Sequence, residues 1–103
     1  MRMLVTVTIP TEEGNEAIRD GSLPKIFEEI LSDIKPEALY FGLSLGNRAL
    51  YFVVNVTDGS QIPVIAAPFF LALNATIEAV PVFNLDELQK AFPQTQAIAQ
   101  KYR

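Results

Sequence analysis

Residues 38–56 read ALYFGLSLGNRALYFVVNV, two apolar runs either side of a glycine-asparagine pair. Gly46-Asn47 at the centre of Leu45–Arg48 is a tight hairpin signal, so residues 38–44 and 49–56 are expected to be paired strands. Gly42 within the first of them suggests a bulge. The second does not alternate. Seven of its eight positions are apolar, the pattern of a strand covered on both faces.

On the N-terminal side, residues 3–9 (MLVTVTI) favour a pleated surface, and Pro10 ends the ladder. Met3, Val5, Val7 and Ile9 share one face; Leu4, Thr6 and Thr8 share the other. Residues 12–34 are then expected to be helical. Thr11 is the candidate N-cap, Glu12, Glu13 and Glu16 suit the positive end of the helix dipole, and Gly21 with Pro24 kinks or restarts the helix, with Ser22 capping the second segment. Ile26, Phe27, Ile30, Leu31 and Ile34 form the apolar stripe of that segment.

On the C-terminal side, residues 61–73 are expected to be a second helix with Ser60 as N-cap and a kink at Pro68. It is apolar nearly all round, which predicts burial on several sides. Residues 75–83 read as a strand, and Pro81 places it at a sheet edge. Asn84 and Glu87 form a capping box for a short helix to about Ala91, with Pro93 interrupting and another turn or two over 94–102.

The order β-α-β-β-α-β plus a C-terminal helix is the split βαβ arrangement of an α+β, ferredoxin-like sandwich. Right-handed crossovers predict an antiparallel sheet ordered 4-1-3-2, in a single domain whose core spans 1–83, with 84–103 as a helical extension. Two helices cover one face of such a sheet. The other carries Leu4, Thr6 and Thr8. It also carries either Leu50, Phe52, Val54 and Val56 or Tyr51, Val53 and Asn55 from strand 3, and Glu78, Val80 and Val82 or their neighbours from strand 4. A mixed, apolar face of this kind suits a homodimer packed sheet to sheet.

Three stretches sharpen that expectation: Asn15–Gly21 (NEAIRDG), Lys35–Phe41 (KPEALYF) and Ile62–Leu71 (IPVIAAPFFL). With these the chain resembles the dimeric α+β barrel superfamily and, more narrowly, uncharacterised small bacterial proteins of this layout. The resemblance spans most of residues 1–90 and implies a fold and a two-fold assembly, but no particular activity. The superfamily includes cofactor-independent monooxygenases, lactone isomerases, haem enzymes and ligand-sensing domains. Its haem-binding branches rely on a His that this sequence lacks.

Composition narrows the chemistry. The 103 residues are 50% hydrophobic and 19% charged, with no Cys, His or Trp. Without Cys and His there is no thiolate metal site, no Ser-His-Asp triad and no imidazole base, and no cofactor is expected. The net charge is −4 and the eight basic residues are dispersed, which argues against nucleic acid and against an anionic membrane surface. No apolar run reaches membrane-spanning length and the N-terminus does not read as a signal peptide, so a cytoplasmic location is expected.

Six residues are candidates for a ligand site. Arg19 could clamp a carboxylate or enolate, with Asn15 one turn before it donating a hydrogen bond. The alternative is a surface pair of Arg19 with Glu12, Glu16 or Asp20. Tyr40 could donate to a ligand carbonyl (Tyr51 is a second such hydroxyl), and Glu78 could be a buried base in an apolar strand. Phe69 and Phe70 could wall an aromatic pocket, or be plain core. Two functional classes follow. One is a homodimeric small-ligand-binding or assembly module. The other is a cofactor-independent monooxygenase-like or isomerase-like enzyme acting on a small apolar anionic or carbonyl compound. A closed helix–sheet interior favours the first; a pocket walled by Arg19 or Glu78 favours the second.

Overall fold

The computed structural model describes residues 1–103. The elements are β1 (Arg2–Ile9), α1 (Thr11–Arg19), α2 (Leu23–Ile34), β2 (Ala38–Ser44), β3 (Asn47–Asn55), α3 (Gln61–Leu73), β4 (Thr76–Val82) and α4 (Leu85–Lys101). The four strands form one antiparallel sheet ordered β2-β3-β1-β4, which read from the β4 edge is 4-1-3-2. The result is an α+β fold compatible with a ferredoxin-like topology. Pro81 lies on an edge strand, where its missing N–H leaves β4 free to pair with β1 alone.

Register settles which side chains face the helices. Val5 stands opposite Phe52 on one side and Ala79 on the other, and Val7 opposite Leu50 and Ile77. Met3, Val5, Val7 and Ile9 are therefore buried with Leu50, Phe52 and Val54, under Ile30 of α2 and Phe69 and Leu73 of α3. Phe52 and Phe69 meet with ring centroids 5.9 Å apart, joining the sheet to α3. The opposite parity, Tyr51, Val53 and Asn55 with Leu4, Thr6, Thr8, Glu78, Val80 and Val82, forms the helix-free face.

Several local expectations are corrected. The expected interruption near Gly21 and Pro24 is a full restart and not a kink: Gly21 adopts a φ of +76° and α2 begins with Pro24 in its first turn. Thr11 is the first helical residue and not the cap. Pro10 holds the N-cap position, and the Thr11 hydroxyl donates to Asn47 Oδ1 at 2.7 Å, tying α1 to the start of β3. Ser22 and Ser60 occupy N-cap positions but neither side chain caps; Gln61 Oε1 instead accepts from the backbone N–H of Thr57 and Asp58. Gly42 makes no bulge and pairs in register with Ala49. The hairpin turns at Leu45-Gly46, one residue earlier than expected, because the two-residue loop needs positive φ at both positions and places glycine second.

Two helices depart further. α3 runs unbroken through Pro68 and buries only Ala66, Phe69 and Leu73, leaving Val64, Phe70 and Leu71 exposed. α4 is one helix of 17 residues and not a short helix broken at Pro93. Its N-terminus carries the expected capping box, with Asn84 Oδ1 accepting from Glu87 N–H at 2.9 Å and Glu87 Oε1 from Asn84 N–H at 3.1 Å. Pro93 removes the N–H that would bond the Gln89 carbonyl, and both residues are exposed, so that carbonyl is open to solvent.

Candidate functional site

The first candidate volume is the helix–sheet interior. Beneath α3 a gap lined by residues such as Val5, Val54, Ile62 and Ala79 measures about 20 Å³, room for at most one water-sized sphere. A larger gap of about 150 Å³ lies between α2 and the sheet, lined by residues such as Leu23, Phe27, Ile9 and Leu50, and a cleft of about 490 Å³ opens between α2 and α3 over Val54. Neither of the larger two takes in a candidate residue.

The second is the outer wall of α1. A wide surface groove of about 580 Å³ runs past Glu12, Glu16, Arg19 and Asp20. Arg19 Nη1 lies 3.1 Å from Glu16 Oε1, one turn earlier on the same helix, and both side chains are largely in water. Asn15 does not serve Arg19. Its Oδ1 accepts from Arg48 Nη1 at 3.0 Å, in a partly buried contact that joins α1 to β3. Gly14 makes this possible: a Cβ there would come within 2.9 Å of the same guanidinium nitrogen. Sequence reasoning missed Arg48. The signal was a glycine inside a helix next to a polar amide, which says that something approaches the backbone without saying what. At the end of α1, hydrogen bonds from Ser22, hydroxyl first and backbone N–H second, hold the Asp20 carboxyl below its ordinary value.

The third is the helix-free face. Its rows run across the sheet from β2 to β4. Ala38, Val53, Leu4 and Val80 make an apolar row; Tyr40, Tyr51, Thr6 and Glu78 make the next; Gly42, Ala49, Thr8 and Thr76 the third. Tyr40 is 70% exposed. The Tyr51 hydroxyl donates to the Leu43 carbonyl at 3.0 Å. Glu78 is exposed, stands opposite Thr6 and forms no ion pair. At one corner Arg2 bridges Glu37 Oε2 at 3.1 Å, ahead of β2, and Glu87 Oε1 at 3.8 Å, in the first turn of α4.

The six candidate residues therefore occupy separate places. Asn15 and Arg19 lie on α1, on the helix side of the sheet. Tyr40 and Glu78 lie on the helix-free face, on opposite edge strands. Phe69 is fully buried in the core, and Phe70, its neighbour in sequence, is half-exposed on the outside of α3. The structure brings no four of them to one cavity. No cluster of three or more His, Cys, Asp or Glu is arranged to hold a metal ion, and no helix is long and apolar enough to cross a membrane. Neither a family model nor a curated protein matches the chain.

Area scaling gives about 5,800 Å² for a compact monomer of this mass. The chain exposes 7273 Å², an excess of about 1,500 Å² on that scale. The radius of gyration is 17.5 Å, against about 13 Å for a compact chain of this length. The longest dimension is 59 Å, and α4 has no buried residue.

Proposed function

We propose that this chain is a self-assembling module whose helix-free sheet face is a homodimer interface, and that it works as a binding or scaffolding unit. The observation that carries this reading is the apolar row of Ala38, Val53, Leu4 and Val80, which crosses all four strands and has no helix over it. A two-fold axis lying between the two sheets, parallel to their planes, lets the same face serve both copies. A standard interface buries about 800 Å² per partner, which the excess surface readily supplies. Tyr40 and Tyr51 add amphipathic area beside the apolar row, and Glu78, on an edge strand, stays at the rim. The scattering of the candidate polar groups supports a module over an enzyme. A catalytic site would need convergent polar groups around a cavity, and Arg19 and Glu78 stand on opposite faces of the sheet.

Sedimentation equilibrium at micromolar concentration tests the reading. The chain is expected at twice the mass of 11.4 kDa or a multiple of it. Leu4→Glu with Val53→Glu is expected to halve the assembly while leaving the far-ultraviolet circular dichroism unchanged. A single 11.4 kDa species for the unaltered chain would overturn it.

A further inference from the structure

On the parity of the sheet that faces the helices, every residue of the four strands is apolar except Arg48, at the start of β3. Arg48 is half-buried and takes part in none of the ion pairs of the chain. Arg2 and Arg19, by contrast, each lie beside a carboxylate. The Arg48 guanidinium makes one hydrogen bond, from Nη1 to Asn15 Oδ1 at 3.0 Å. That contact, and the room Gly14 leaves by having no Cβ, fix where the group stands. A guanidinium carries several further N–H donors, and here no group of the chain accepts from them. Taking a cation part-way out of water without a counter-charge is costly.

Arg48 also lines the gap of about 150 Å³ between α2 and the sheet. Ile9 and Leu50 supply its floor, Leu23 and Phe27 its α2 wall, and Phe41 its β2 wall. The Phe27 and Phe41 rings lie 5.5 Å apart. Phe41 is largely exposed, so the gap opens to solvent on the β2 side. A cavity of about 150 Å³ lined by Leu, Ile and Phe has room for one benzene ring. An apolar slot of that size thus adjoins a half-buried cation with donors to spare.

We propose that this cleft binds a small aromatic monocarboxylate, with its ring between α2 and strands β2 and β3 and its carboxylate on Arg48. The planar fork of a guanidinium matches a carboxylate through two parallel hydrogen bonds. The ring removes the Leu23, Phe27 and Phe41 side chains from water. The anion supplies the counter-charge that the chain itself lacks. The site lies on the helix side of the sheet, so it stands whether or not the helix-free face forms a dimer, and it needs no catalytic group.

Benzoate, benzamide and acetate separate the ring from the charge. The full-length chain, isotopically labelled, is titrated with each and followed by NMR. Benzoate is expected to shift the Phe27 and Phe41 ring signals and the Arg48 Nε signal along one saturable curve, with a Kd of about 1 mM or below. Benzamide keeps the shape without the charge, and acetate the charge without the ring. Each is expected to bind more weakly by about tenfold or more. Arg48→Met keeps an apolar stem and removes the charge. It is expected to weaken benzoate by about tenfold or more and to leave benzamide unchanged. Should that variant fail to fold, the three probes on the unaltered chain decide alone. No saturable shift with benzoate, shifts centred on Arg2 or Arg19 instead, or either control binding as tightly as benzoate overturns the proposal. So does a folded Arg48→Met chain that binds benzoate as before.

Discussion

Leu45 has a φ of +52° at the tip of the β2–β3 hairpin and is 99% exposed. A leucine in the left-handed region costs about 1 kcal/mol and here gains no burial in return. Asparagine tolerates that region and is favoured at the first position of such a turn. Leu45→Asn is therefore expected to stabilise the fold by about 0.5–1 kcal/mol, a rise in Tm of about 3–6 °C by calorimetry. Asp20 gives a pH prediction. Its carboxyl is held below the ordinary 3.8 by hydrogen bonds from Ser22. A depressed folded-state pKa stabilises above the unfolded value, and that contribution disappears as pH falls through the folded one. An NMR titration should place the Asp20 midpoint below 3.8, and Ser22→Ala should move it upward. Residue-level roles were the least legible in the sequence. Phe69 and Phe70 are neighbours of one type, and only the angle at which α3 meets the sheet decides that the first is core and the second is surface.

The strands were legible at the level of elements because Thr6 and Thr8 mark the parity of β1, and Pro10 and Pro81 mark an end and an edge. Which parity of β3 faced the helices was not, since residues on both of its faces are apolar. Pairing with β1 decides it, by setting Phe52 against Val5 and Tyr51 against Thr6. The candidate surface was legible to the same degree: its Leu4 row could be named, but its β3 contribution stayed open. α4 was misjudged because Pro93 outweighed the pattern around it. The 3-4-3-4-3 spacing of Leu85, Leu88, Phe92, Thr95, Ala99 and Tyr102 continues on both sides of the proline, and an exposed helix pays for the lost hydrogen bond only what water does not return. Pro93→Ala restores the donor and removes the ring clash with the preceding turn. It is expected to stabilise α4 by up to about 3 kcal/mol, read as slower amide hydrogen exchange over residues 89–100. Unchanged exchange there would mean that the proline costs the helix nothing.

On the scale of the whole molecule, the protein is a small packed body with a long helix attached at one corner. Its excess surface of about 1,500 Å² over a compact monomer amounts to roughly two standard interface halves. The helix-free face and the uncovered α4 both contribute to that excess. α3, apolar yet half-uncovered along Val64, Phe70 and Leu71, makes the surface less water-compatible still. The low charged fraction read from the composition, 19%, is the one-dimensional form of the same fact. The fold runs out of interior before it runs out of apolar residues.

The short link from Val82 to Leu85, braced by Arg2 against Glu87, sets the angle at which α4 leaves the sheet. α4 is thus a lever arm about 25 Å long mounted on a short hinge. A small change of angle at the link is multiplied along that length, so the far end of the helix sweeps a wide arc while the sheet stays fixed. Where the helix points is decided at the corner and not along the helix. An exposed ion pair such as Arg2–Glu87 weakens with added salt, so ionic strength acts on the direction of the lever rather than on its helicity.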